Sequence, residues 1–151
     1  MSKFINKELI IWLIVFQTIS FAIGTIPNTW YVNAIKSSLT PPKYFFPIVW
    51  SILYFILAYV GYKIFKENIF SSTIKFFYVL QMVLNFSWRP IFFGYQMIKV
   101  SALIILVMII LTFLILQELY KKQYFLYWIL LPYLIWILFA EYLTIMIVIL
   151  N

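Results

Sequence analysis

Three apolar runs carry large aromatic and amide side chains at helical spacing, and these residues are the best candidates for binding chemistry. The first face consists of Trp50, Tyr54, Ala58 and Gly61, at intervals of four, four and three residues. The second consists of Gln81, Asn85, Trp88 and Phe92, and the third of Trp136, Ala140 and Thr144. Residues at these intervals share one side of a helix. Together the faces predict a largely apolar site for a flat hydrophobic ligand.

The same tryptophans have structural interpretations that compete with ligand binding. Trp12, Trp30 and Trp128 lie near the ends of apolar runs, where tryptophan commonly anchors a helix at the membrane surface. For Trp50, Trp88 and Trp136, periodicity alone favours core packing over a cavity wall. Small residues on these faces are likewise typical of close helix packing.

Whole classes of catalysis lack their residues in this chain. The sequence contains no aspartate, histidine or cysteine, which removes Ser-His-Asp and Cys-His nucleophile systems as well as His or Cys ligation of metal and haem. Disulfides are excluded for the same reason. We therefore predict no metal site, no required cofactor and no conventional hydrolase, and we assign no catalytic residue from composition.

The composition indicates that lipid surrounds the folded chain. Of its 151 residues, 66% are hydrophobic and 10% are charged, and the mean hydropathy is +1.05. Soluble domains have about 45 to 50% apolar residues, so a water-soluble globule is excluded. The net charge of +7 is distributed between apolar runs, which argues against a nucleic-acid partner and for a lipid bilayer.

The apolar runs predict an all-α integral membrane bundle with five transmembrane helices in one domain, residues 1–151. The predicted spans are residues 9–26, 44–64, 74–95, 100–119 and 124–150, close to the roughly 20 residues that cross a hydrocarbon core. A cleavable signal peptide is the alternative for the first run, but no A-x-A-like site follows it.

Lysines between the spans predict the orientation. Seven lie on the N-terminal side of the predicted bundle and three on the other, which places the N-terminus in the cytoplasm and the C-terminus outside. The longest connector, residues 27–43, contains Trp30 and Tyr31. A connector of this length with aromatic residues is typical of a lid, and we call residues 27–43 the lid.

Two charged residues interrupt the predicted spans. Arg89 and Glu141 each cost about 2.5 to 3.5 kcal/mol near a helix centre, so each is expected to face protein, water or an opposite charge. Their similar depth in parallel helices predicts an ion pair between them. The alternative is that Arg89 extends to the headgroups while Glu141 is protonated or exposed to water.

Several segments together resemble the translocator protein family, also called tryptophan-rich sensory, TspO/MBR or peripheral benzodiazepine receptor proteins. The resemblance covers roughly residues 30–143, and its segments are Trp30-Tyr31, L-T-P-P-K at 39–43, V-W-S-I-L-Y at 49–54, L-N-F-S-W-R-P-I-F-F-G at 84–94 and P-Y-L-I-W-I-L-F-A at 132–140. They follow the family's order along the chain.

The resemblance implies a five-helix bundle, commonly a homodimer, with a cavity capped by the first loop that takes porphyrins, sterols and synthetic aromatic ligands. The ligand-binding residues carried over by position are Tyr31, Trp50, Asn85, Trp88, Trp136 and Ala140, to which the helical face adds Tyr54. Thr144 stands where the family usually has asparagine, and Leu39 where an aromatic is usual. No basic residue follows Tyr142, so the sterol-recognition pattern fails there.

Three functions remain open from the sequence. The first is binding, and with it transport or sensing, of a tetrapyrrole such as protoporphyrin IX or haem, with Lys36 and Lys43 expected to meet its carboxylates. The second, implied by the resemblance, is photo-oxidative porphyrin breakdown that depends on Trp50 and Trp136. The third is a sensory or scaffold role in which ligand occupancy changes contact with a partner protein.

Overall fold

The computed structural model describes residues 6–151, which form six α-helices joined by short connections. They are α1 (Lys7–Gly24), α2 (Thr29–Asn33), α3 (Phe45–Lys66), α4 (Ser72–Arg89), α5 (Ile98–Lys122) and α6 (Tyr124–Leu150). Five of the helices are long, and α2 is a short helix inside the lid. The predicted all-α bundle of five long helices is confirmed.

Four of the long helices, α1, α3, α5 and α6, are long and apolar enough to cross a membrane. Many large apolar side chains on their outer faces are exposed, such as Phe21, Ile52 and Leu103, as expected where lipid is the solvent. Helix α4 is more polar because it carries Lys75 and the amides of Gln81 and Asn85. Both amides are buried within the bundle.

Helix α4 changes geometry where the sequence predicted one continuous span to residue 95. It ends at Arg89, and a π-helical turn, Pro90–Gly94, continues it. Proline has no amide hydrogen for the α-helical pattern, and the wider turn is closed by a bond of 3.0 Å from Tyr95 N to Pro90 O. The local widening alters the direction of the side chains that follow Trp88.

Close packing at one end of the bundle depends on Gly61 in α3. A Cβ atom at this position would lie 2.7 Å from Trp12 Cζ3 and closer still to the Tyr78 ring. Helices α1 and α4 therefore approach α3 as only glycine allows. The starts of these two helices are capped by side chains, Asn6 for α1 and Ser71 for α4, as is typical of helix N-termini.

The two ends of the bundle are held by different connections. At the lid end, the lid meets the π-helical turn and the end of α6 through Trp30 and Ile35. At the opposite end, which we call the turn end, Gln123 Nε2 donates to Glu67 Oε2 at 2.6 Å. This contact joins the α3–α4 turn to the α5–α6 turn.

Candidate functional site: an aromatic cavity beneath the lid

A cavity of about 440 Å³ lies beneath the lid, between α3, α4 and α6. Trp50 projects from α3, Trp88 from α4 and Trp136 from α6, and Tyr31 closes the site from the lid. Ala140 lines the same cavity, where its small side chain leaves space beside Trp136. The structure thus brings together five of the seven residues that the sequence predicted as ligand contacts.

The aromatic rings that line this cavity pack against one another in both edge-to-face and stacked pairs. The Trp50 and Trp136 centroids are 6.5 Å apart with planes at 89°, whereas Trp88 stacks on Phe92 at 5.1 Å and 14°. Edge-to-face and offset-stacked pairs are both favourable arrangements. The walls therefore present flat apolar surfaces in two nearly perpendicular directions.

Two indole donors of the cavity residues are buried without a protein acceptor. These are Nε1 of Trp88 and Nε1 of Trp136, each unpaired within the described part of the chain. Buried polar groups are nearly always hydrogen-bonded in folded proteins. A water or a ligand acceptor is the natural partner for both N–H groups.

Three hydrogen-bonded contacts tie the lid to the bundle. Trp30 Nε1 donates to Phe93 O at 3.0 Å, and Ser37 Oγ lies 2.9 Å from Tyr142 Oη. The Asn151 amide makes two bonds with the Ile35 backbone, each of 2.9 Å. These polar contacts hold the lid against the π-helical turn and α6.

A second cavity of about 580 Å³ lies between α1, α3 and α4. It shares five residues with the cavity beneath the lid, and these form a common wall: Phe46, Pro47, Trp50, Trp88 and Arg89. The remaining lining includes Gln17 of α1 and Ser51 of α3, joined by a hydrogen bond of 2.9 Å.

The two predicted contacts that do not line the lid cavity belong to a buried polar network. Tyr54 Oη donates to Asn85 Oδ1 at 2.7 Å, and Asn85 Nδ2 donates to Tyr133 Oη at 2.8 Å. Gln81 Nε2 also donates to Tyr133 Oη. The network links α3, α4 and α6, and Tyr54 and Asn85 additionally line the second cavity. Their contact with ligand stays a prediction.

The predicted ion pair between Arg89 and Glu141 is wrong, since the structure describes both residues and does not pair them. Arg89 Nε donates to Ile23 O at 2.9 Å, and its Nη2 donates to Gly24 O at 3.2 Å. The last carbonyls of α1 have no partners within their own helix and carry partial negative charge. They therefore take the role that the sequence assigned to Glu141, whose Oε2 is buried without a partner.

Lid residues add cationic and phenolic groups to the cavity. Lys36 and Lys43 both line it, as their predicted role requires. Lys36 Nζ donates to Val32 O and Ala34 O and lies 4.8 Å from the centre of the Tyr31 ring. Burial raises the pKa of the Tyr31 hydroxyl above its ordinary value, so this phenol is neutral at physiological pH.

Sequence reasoning missed several lining residues. Phe46 lies four residues before Trp50 and extends the same helical face into both cavities, so the spacing was the available signal. Phe93 follows Trp88 in the quoted F-F-G run. Thr144, already noted on its helical face, also lines the cavity beneath the lid, and its Oγ1 donates to Ala140 O of its own helix at 2.8 Å.

Fold and site define a helical membrane protein with an aromatic cavity that opens beneath a lid at one end. The TspO/MBR family model matches residues 9–150. A tryptophan-rich protein TspO of Archaeoglobus fulgidus is 36% identical over 138 residues, which cover 87% of this chain and 86% of the relative. For the protein of that name from Chlorobaculum tepidum, the values are 33% over 133 residues, with 83% and 82% covered.

The similarity extends to animal proteins over a shorter region. The translocator protein of Homo sapiens is 37% identical over 70 residues, which cover 43% of this chain and 41% of that protein. The chain belongs to the TspO/MBR family. It is therefore a multi-pass integral membrane protein, and the resemblance noted in its tryptophan and proline motifs is confirmed.

Proposed function

We propose that this protein binds a flat hydrophobic ligand of the tetrapyrrole type in the cavity beneath the lid and holds it for transport or sensing. The observation that carries the proposal is the set of three tryptophans, Trp50, Trp88 and Trp136, around one cavity of about 440 Å³. This volume is within the range of small-molecule sites, about 300 to 1,000 Å³. The two unpaired indole N–H groups supply donors for polar atoms of the ligand.

We expect the protein to bind its tetrapyrrole without coordinating a metal ion at the centre of the ring. Histidine and cysteine are absent from the sequence, and they are two of the usual axial ligands of haem iron. Ring stacking and burial then supply most of the affinity. We therefore expect metal-free protoporphyrin IX to bind at least as well as haem.

Porphyrin breakdown is the second candidate function, and the contact between the Trp50 and Trp136 rings favours it. Both indoles line the cavity with their centroids 6.5 Å apart, so a bound photosensitising ring lies beside two oxidisable side chains. A catalytic role for Trp50 and Trp136 requires light together with an oxidant such as dioxygen. It predicts a time-dependent loss of the porphyrin absorption band under light only.

A titration with protoporphyrin IX in lipid nanodiscs, followed by porphyrin absorption, tests both candidates. We expect saturable binding in the dark for wild type, and at least roughly tenfold weaker binding for the Trp50→Phe, Trp136→Phe double variant, because it loses ring surface and two indole N–H donors. Trp128→Phe is the matched control, since Trp128 is exposed and packs edge to face against Tyr124 and Tyr127, outside both cavities.

The outcomes separate the functions. Equal binding by wild type and the double variant contradicts the cavity as the porphyrin site. A light-dependent product that the double variant does not form supports breakdown, whereas an unchanged spectrum under light supports binding alone. Failure of wild type to saturate contradicts the porphyrin proposal and leaves the family assignment intact.

We also propose that the turn end faces the cytoplasm. Lys63, Lys66, Lys75, Lys121 and Lys122 lie in or beside its turns, and cytoplasmic connections are enriched in lysine and arginine. Since the chain has no cysteine, labelling of Ser38→Cys and Asn68→Cys with a membrane-impermeant maleimide reads the orientation directly. Labelling of Asn68→Cys in intact cells contradicts the proposal. The homodimer stays a prediction, and sedimentation of the protein in detergent would measure its oligomeric state.

A further inference from the structure

We propose that Arg89 is the anion anchor of this protein and selects ligands that carry a carboxylate beside a flat apolar ring system. The inference rests on the proposed function and extends it, since it assigns the acid group of the ligand to one named side chain. Arg89 lines both the cavity beneath the lid and the second cavity. A ligand in either cavity therefore reaches the same guanidinium.

The guanidinium is held in place by backbone and keeps donors available. Bonds from Nε to Ile23 O and from Nη2 to Gly24 O use two of its five N–H groups. Its Cζ lies 4.7 Å from the centre of the Phe93 ring, a cation–π contact that fixes the plane of the fork. The three other N–H groups have no acceptor among the described residues, and such a fork matches a carboxylate.

The charges around the two cavities favour an anion. Arg89, Lys36 and Lys43 are the charged residues that line them, and no carboxylate lines either within residues 6–151. Glu141, the carboxylate expected nearby, makes no salt bridge with Arg89. A cation half-removed from water without a counter-ion is costly, and a bound carboxylate offsets that cost. An uncharged ligand leaves it in place.

Arg89 is better placed for this role than the two lysines. Lys36 Nζ already donates to two carbonyls of its own segment, and Lys43 is an exposed residue of the lid. Arg89 instead lies beside Trp50 and Trp88 in the wall between the cavities. A ring system stacked on these indoles thus brings its acid side chain to the guanidinium.

The test compares protoporphyrin IX with its dimethyl ester, which keeps the ring and removes both charges. We expect Arg89→Gln to weaken binding of the free acid by roughly 10- to 100-fold, the effect of losing a charged hydrogen bond, and to change binding of the ester by less than about twofold. Arg89→Lys keeps the charge but loses the fork, so acid binding is expected to fall between wild type and Arg89→Gln. Lys99→Gln, which removes a cation outside both cavities, is the matched control.

Each outcome decides the proposal. Equal affinity of wild type for acid and ester, or an equal loss of both in Arg89→Gln, overturns the anchor while binding in the cavity stands. If wild type binds neither compound, the proposed function fails and the anchor fails with it. Should Arg89→Gln not fold, the acid-to-ester affinity ratio of wild type and Arg89→Lys decides, since a structural role for Arg89 leaves that ratio the same in both proteins.

Discussion

The turn end and the lid end of this bundle differ in how closely their helices approach one another. At the turn end, Gly61 lets α1 and α4 approach α3 so closely that no Cβ fits between Trp12 and Tyr78. At the lid end, the same three helices diverge around a cavity of about 580 Å³. Because one end is closely packed, the other end is able to carry space for a ligand without loss of the fold.

The two ends also treat charge differently. The turn end pairs opposite charges, with Lys122 Nζ 2.6 Å from Glu118 Oε1 and Lys63 Nζ 3.2 Å from Glu67 Oε1. At the lid end, Arg89 and Lys36 donate instead to backbone carbonyls. Their charges are thereby held in position but not neutralised. The difference shows that the lid end keeps positive charge without a carboxylate partner, and this charge is available to an anionic ligand.

Breaking the close approach at the turn end is expected to have the largest effect on stability. We expect Gly61→Leu to lower the free energy of unfolding by about 3 kcal/mol, because overpacking forces apart helices that have no space to yield. The Tyr78 hydroxyl, which donates to Leu57 O at 2.6 Å, would be displaced as well. Thermal unfolding in detergent measures the change.

The matched control for this substitution is Gly24→Leu at the lid end. A Cβ at Gly24 meets nothing within 4 Å, so the unfolding temperature is expected to stay near that of wild type. If the two variants unfold at the same temperature, the contrast between a closed end and an open end does not hold.

Removing the hydroxyl at the boundary between the two ends is expected to cost less. Tyr133→Phe leaves the amide N–H groups of Asn85 and Gln81 without their shared acceptor, and a buried unpaired donor costs about 1 to 3 kcal/mol. We expect a loss of about 2 kcal/mol in detergent unfolding. Tyr124→Phe, at an exposed ring of the turn end, is expected to be neutral, and a comparable loss there would contradict the assigned role of the network.

Most of the fold was predictable because lipid imposes a simple rule on sequence. Charge-free runs of about 20 residues mark spans, and the starts and ends of the five long helices follow those runs to within a few residues. The exception is the end of α4, where Pro90 sets a π-helical turn. The prediction carried the span through Pro90, because whether a proline leaves a helix continuous, kinks it or widens its turn depends on tertiary contacts.

Site residues that share one helical face were predictable from their spacing. Contacts between residues far apart in the sequence were not. Spacing from Trp50 and the motif around Trp88 led to the cavity. Tyr133 escaped notice because its partners, Gln81 and Asn85, lie about 50 residues earlier in the chain. Arg89 was assigned the wrong partner because side-chain charges are visible in a sequence, whereas the carbonyl acceptors at the end of α1 are present in every helix.

The smallest effect we expect is the coupling between Arg89 and Glu141, and it tests how the lid end handles charge. Arg89→Leu loses two bonds to α1 carbonyls, while Glu141→Leu removes a half-buried carboxyl that has no partner on Oε2. Groups that share no partner add within about 0.3 to 0.5 kcal/mol. The double variant is therefore expected to show the sum of the two single changes in thermal unfolding. A coupling above about 1 kcal/mol would restore the ion pair and leave less free charge for a ligand at Arg89, because a carboxylate of the protein would already neutralise it.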